Sequence, residues 1–177
     1  MFVPFILSGL RELCYLSGMV RTFFLLILPF VLLTSFRVPD AASGRVVKVV
    51  DGDTYDILLD GVQSRIRMDA IDAPERGQDF GTASKNHLGS LCDGQIIRLN
   101  IKSRDRYGRI IAQSFLPDGR ELGAEMIRAG MAWHYTKYSS DPRLSKLEQQ
   151  AREARRGLWS MANPIAPWDY RKMKRNG

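Results

Sequence analysis

Cysteine and histidine are scarce: the 177 residues hold two of each. Neither the four-cysteine spacing nor the Cys/His spacing of a zinc site is present. Cys92 lies in an apolar helical context, where a buried structural thiol is expected. Cys14 falls in a segment expected to be removed, which leaves Cys92 without an intramolecular disulfide partner. His87 and His134 have no nearby Cys or His, so both read as structural or surface residues. There is no internal repeat and no low-complexity linker, which excludes solenoids and tethered arrays. The apolar run Phe23–Leu33 has eleven residues, short of the ~20 that cross a bilayer.

That run does suit a secretory signal. Arg21 precedes it, and the small residues Ala41, Ala42 and Ser43 follow. Residues 1–43 are therefore expected to direct export to the periplasm or the exterior, with cleavage after Ala42 or Ser43. Met19 offers a second start, beginning MVRT. The competing reading is a membrane anchor made from residues 1–36, although Arg11 and Glu12 interrupt its apolar stretch. The whole chain carries a net charge of +7. Removing residues 1–43 takes away three basic and two acidic side chains, so the remaining domain stays basic. Basicity suits a polyanionic partner and also plain solubility.

From Arg45 the pattern is that of strands. Val46, Val47, Val49 and Val50 form a β-branched run, and Asp51-Gly52-Asp53 supplies a turn, with glycine free to take positive φ. Tyr55, Ile57 and Leu59 alternate with Asp56 and Leu58. Asp60-Gly61 marks a hairpin, and a third strand carries Ile66, Met68 and Ala70 on one face. A helix is expected over about Asp79–Leu91. Strands follow over Gln95–Ser103 and Arg109–Leu116, then a helix over about Glu121–Ala129 that stops at Gly130. A last helix has Asp141 as N-cap, Pro142 in its first turn and Gly157 at its end. Leu144, Leu147, Ala151, Ala154 and Leu158 form its apolar stripe. The expected fold is α+β: a five-stranded Greek-key OB-fold barrel with about three helices, over residues 44–163. Residues 164–177 form a basic extension, expected to pack as an extended arm through Trp168.

The chemistry is concentrated in three stretches: DGDT at Asp51–Thr54, RIRMDAIDAPE at Arg65–Glu75, and DRYGR at Asp105–Arg109. A hard cation takes oxygen ligands, guanidinium groups neutralise a phosphate, and a carboxylate orients water. Asp53 follows a glycine turn; Asp72 and Glu75 bracket Ala73-Pro74; Arg67 lies on the third strand and Arg109 starts the fifth. Taken singly, acids beside glycine are turn-formers, and Asp105 with Arg109 is a surface ion pair of little weight. Taken together they favour hydrolysis of phosphodiester bonds. Strict alternation puts Arg67 and Asp72 on opposite faces, so an irregularity is expected near Met68–Ile71.

With these motifs the chain resembles the staphylococcal nuclease (thermonuclease) family over about Arg45–Ser160. The matching pieces are V-x-DGDT, R-x-x-x-x-D-x-P-E, D-x-YGR and the late Gly157-Leu158-Trp159. The resemblance implies a calcium-dependent nuclease acting on DNA and RNA with little sequence specificity, cleaving the P–O5′ bond to leave 3′-phosphates. It implies a monomer with no obligate protein partner. It makes Asp53 and Asp72 metal ligands, with the carbonyl of Ala73, where the best-known member has threonine. It makes Glu75 the group that positions or deprotonates water, and Arg67 and Arg109 the phosphate clamps. Asp51 would support the site from behind. Arg106 and Tyr107 match positions that touch a nucleotide phosphate; Tyr135 or Tyr138 would stack on or bond the nucleotide. Trp133 and Trp159 read as core aromatics, Arg152, Arg155 and Arg156 as a solvated helix face. Arg171, Lys172, Lys174 and Arg175 read as a diffuse phosphate attractant. The alternative function is a non-catalytic OB-fold module that binds nucleic acid.

Overall fold

The computed structural model describes residues 41–176; the expected signal run, Cys14 and Met19 lie outside them. Five strands close a barrel: β1 (Ala41–Val49), β2 (Thr54–Leu59), β3 (Val62–Met68), β5 (Ile96–Arg104) and β6 (Ile110–Phe115). Their order around the barrel is β1-β2-β3-β6-β5. All pairs are antiparallel except β3–β6. A second, two-stranded sheet joins β4 (Ile71–Asp72) to β7 (Trp133–His134). The helices are α1 (Gly81–Cys92), α2 (Leu122–Arg128), α3 (Pro142–Glu153) and α4 (Pro167–Asn176), with a 3-10 turn at Gly157–Ser160. Among the described residues no helix is long and apolar enough to cross a membrane.

The expected barrel is present, and its alternation fills it. Tyr55, Ile57, Ile66, Met68, Ile97, Leu99, Ile110 and Ala112 are buried. The Tyr55 hydroxyl donates to Ser114 Oγ at 2.7 Å, so its polar end is not orphaned inside. Leu88 and Cys92 of α1 and Leu122, Met126 and Ile127 of α2 join the same core. Burial pushes the Cys92 thiol up to about 12, consistent with an inert structural cysteine. Asp60 and Gly61 both adopt positive φ, as a tight hairpin with the strands' own twist requires.

Several expectations are corrected. Gly52 is not at positive φ; it is glycine for space. A Cβ there would lie 2.0 Å from Ser84 Oγ and 2.7 Å from Ala73 Cβ. Helix α3 ends at Glu153, four residues early, because Arg155 turns left-handed. Ala154 is therefore exposed, and Leu158 is buried from the 3-10 turn instead. Arg152 is not simply solvated: its guanidinium lies 3.7 Å from the Trp159 ring centroid and pairs with Glu148. The tail is no extended arm but the helix α4. Trp168 is indeed its anchor, stacked on Tyr135 at 5.1 Å and edge-on to Trp133 at 5.6 Å.

The burial contrast sets a stability test. Ile66 is fully buried and Val47 is 46% exposed. Ile66→Ala is expected to cost about 2–5 kcal/mol in urea unfolding, and Val47→Ala to fall within about 0.5 kcal/mol of the parent.

Candidate active site

One end of the barrel gathers the acidic residues, and local backbone puts them there. The Asp51-Gly52-Asp53 turn is closed by Val50 N–H and Asp51 N–H, both donating to the Thr54 carbonyl. Asp51 Oδ1 accepts from Asp53 N–H at 3.2 Å. Gly52 lets this turn press against Ser84 of α1 and Ala73. Asp53 thereby points inward and is 6% exposed. Its Oδ1 accepts from the Thr54 hydroxyl and its Oδ2 from Ala73 N–H, at 2.9 Å each.

The expected irregularity lies where it is needed. β3 ends at Met68, Ala70 takes φ 63°, and the chain resumes as β4. That reversal carries Asp72 back to the face of Arg67. The Arg67 guanidinium fills the resulting bend. Its Nη1 donates to the carbonyls of Met68 (2.6 Å) and Ile71 (2.9 Å). Its Nη2 lies 2.8 Å from Asp72 Oδ1 and 3.0 Å from Asp53 Oδ2. One arginine therefore ties two buried aspartates to the end of a strand.

Glu75 follows Pro74. Its N–H donates to Gln78 Oε1 at 3.0 Å. Its carboxylate meets Asp72 through Arg171 of α4, a residue that sequence reasoning treated only as diffuse positive charge. Arg171 Nη1 lies 2.5 Å from Glu75 Oε1, and its Nη2 lies 2.7 Å from Asp72 Oδ2. A sequence signal existed: Pro167 suits a first helical position, Asp169 and Lys174-Arg175 match the helix dipole, and Trp168 and Arg171 share a face at i, i+3.

Burial raises the Asp72 carboxyl; Arg171 hydrogen bonds oppose this, and the charge of Asp53 adds to it. Burial, then the charge of Asp53, pushes Asp51 up to about 7. Among the described residues no ready-made cluster of three metal-ligating side chains is present; guanidinium groups stand between the acids.

The other candidates lie apart. Arg109 Nε donates to Asp105 Oδ2 at 2.7 Å, and Asp105 Oδ1 accepts from the N–H groups of Tyr107 and Arg109. Arg109 thus stands on a turn stiffened by one carboxylate. With Tyr107, Gly108, Asp56, Gln63 and Arg65 it lines an open cleft of about 490 Å³. Asp56, expected outward, is buried, and the Arg65 guanidinium holds its carboxyl below the usual range. Arg106 bonds the Tyr107 hydroxyl at 2.7 Å. Parallel pairing of Arg67 with Ile111 sets this cleft beside the acidic cluster. Tyr138 is exposed and lines a different depression with Asp69 and Lys102. Tyr135 packs between Tyr138 and Trp168. His134 is buried, its ring nitrogens 3.0 Å from Ser145 Oγ and Ser139 Oγ, and is structural.

Asp51 gives a pH test. Its folded value of about 7 lies above the ordinary 3.8, so the folded protein holds a proton that the unfolded chain has released. Stability therefore declines as pH rises through that window. In chelator, Asp51→Asn is expected to gain melting temperature over the parent progressively between about pH 4 and pH 7 and to hold that gain above it. A gap that stays constant across the series would contradict the assignment.

Residues 65–161 match the family described as staphylococcal nuclease homologue. An uncharacterized endonuclease of Escherichia coli is 46% identical over 131 residues, covering 74% of this chain and 86% of that protein. A micrococcal nuclease of Shigella flexneri is 37% identical over 143 residues, covering 75% and 82%. An uncharacterized endonuclease of Haemophilus influenzae is 39% identical over 132 residues, covering 74% of each. A match over more than half the chain, on an OB barrel whose rim carries these acids and arginines, places the protein in the staphylococcal nuclease family.

Proposed function

We propose that this chain is an exported, calcium-dependent nuclease that hydrolyses phosphodiester bonds of DNA and RNA and leaves 3′-phosphates. The observation that carries the reading is the Arg67 clamp, which brings Asp53 and Asp72 together with Glu75 next to them. The donor set fits a hard cation, being entirely oxygen. Asp51 and Asp72, raised by burial and further by the charge of Asp53, also mark a place where added positive charge is favoured. Asp53, Asp72 and the carbonyl of Ala73 would hold the ion. When bound, the ion would neutralise charge on the phosphate oxygens and lower the barrier to attack.

The chain's own residues do the rest. Glu75, with a side chain 38% exposed, accepts a proton from a water whose oxygen then bonds to phosphorus. The P–O5′ bond breaks, and the leaving 5′-oxygen takes up a proton. Arg109 is bonded by Asp105 only at Nε, so its terminal nitrogens serve the phosphate. Arg67 holds the aspartates in place and adds positive charge beside the scissile group. Arg106 and Tyr107 border the cleft and contact a neighbouring phosphate; Tyr138 contributes farther along the strand. The enzyme acts as a monomer on single-stranded or locally opened substrate. Residues 1–43 serve as the export signal. Ala41, Ala42 and Ser43 pair with Asn100, Leu99 and Arg98, so a cut after Ala42 or Ser43 shortens that ladder.

In a fluorogenic oligonucleotide assay, Glu75→Gln and Arg109→Ala are each expected to lower kcat by about 10²-fold or more, with unchanged circular dichroism. Chelator is expected to abolish turnover on both DNA and RNA. Cleavage that continues in chelator would refute the cation requirement, and binding without any cleavage would favour the non-catalytic module. Mass spectrometry of the secreted protein is expected to find its N-terminus at Ser43 or Gly44; retention of residues 1–36 would indicate an anchor.

A further inference from the structure

Arg171 reaches the acidic cluster from the far end of the chain. Two side-chain contacts and one amide hold its helix in position. Trp168 lies flat on Tyr135 and edge-on to Trp133. Gln78 donates through Nε2 to the Ile165 carbonyl at 2.7 Å, while its Oε1 accepts from Glu75 N–H. One amide thus ties the loop carrying Glu75 to the segment that leads into α4. One turn beyond Trp168, the Arg171 fork enters between Asp72 and Glu75.

The oxygens it takes are informative. Asp72 Oδ1 is shared by Arg67 and Arg171, at 2.8 and 3.2 Å. Asp72 Oδ2 and Glu75 Oε1 have Arg171 as their sole donor among the described residues. Asp72 is thus held by both arginines, and Glu75 Oε1 by Arg171. A divalent ion on Asp72 would need an oxygen that a guanidinium group now occupies. A further positive charge on a carboxylate that already carries two guanidinium groups is repelled at short range.

We propose that Arg171 is a resident counter-ion of the cation site, and that a divalent ion binds only by displacing its guanidinium from Asp72. The proposal rests on the cation reading given above. In the ion's absence the arginine compensates the buried acids and keeps α4 docked. Entry of the ion exchanges one positive charge for two and frees a guanidinium at the rim. The docking of α4 therefore sets the cation concentration at which the site loads, and Arg171 is the residue that determines it.

The test is calcium affinity, measured by isothermal titration calorimetry on the metal-stripped, full-length mature protein. Arg171→Gln removes the competitor and is expected to tighten Kd about tenfold or more, the weight of one charge-assisted bond. Arg171→Lys keeps a charge without the fork and is expected to fall between the two. Lys174→Gln, on the same helix outside the site, is expected to match the parent. A purely structural Arg171 predicts the opposite sign, since loosening the loop would weaken binding. A measurable but equal or weaker affinity in Arg171→Gln overturns the exchange and leaves the cation reading standing. Absence of calcium binding in both parent and Arg171→Gln overturns the cation reading and the exchange together.

Discussion

Three carboxyl groups lie within or against one end of a hydrophobic barrel, and burying such charge is costly unless it is paired and hydrogen-bonded. The Arg67 guanidinium offsets part of that cost at Asp53 and Asp72. It spans from the end of β3 to Asp53 and Asp72 and also caps two carbonyls of the bend between them. Removing it would leave Asp53 without its guanidinium partner, Asp72 with Arg171 alone, and the carbonyls of Met68 and Ile71 each with one donor fewer. The bend itself, with Ala70 in a left-handed conformation, is held by the same group. The acid arrangement, the strand ending and the short β4–β7 sheet are thus one cooperative unit.

This unit accounts for the division of the site. The acids sit on the turn before β2 and the bend after β3, whereas Arg109 and Tyr107 sit on the turn before β6. The parallel β3–β6 pair that closes the barrel brings these distant segments side by side. Neither half depends on the other for its shape: Asp105 organises the arginine side and Arg67 the acid side. A polyanionic strand crossing both would meet an acidic seat and, beside it, a basic one.

Much of this was legible in the residues. Period-two alternation and the turn residues at Asp60-Gly61 mark the strands, because those signals are local. The clash in parity between Arg67 and Asp72 required a break, and the break is there. What was hidden involves long sequence separation or space rather than torsion. Arg171 contacts residues 96 and 99 positions away, and nothing near it in the chain announces them. The prolines around Ile165 and Ala166 suggested an extended tail, although Pro167 equally opens a helix. Gly52 looked like a torsional glycine, yet it is small because α1 leaves it no room.

Ala73 contributes to this architecture through its main chain, giving its N–H to Asp53. Its side chain is buried, and it shares a pocket with the missing side chain of Gly52. Positions 52 and 73 are therefore coupled by volume and not by chemistry. Any residue with an amide hydrogen preserves the bond at 73, but bulk gained there has to be absorbed by its neighbours. Drift at position 73 would thus look permissive in chemical character while remaining tightly limited in size.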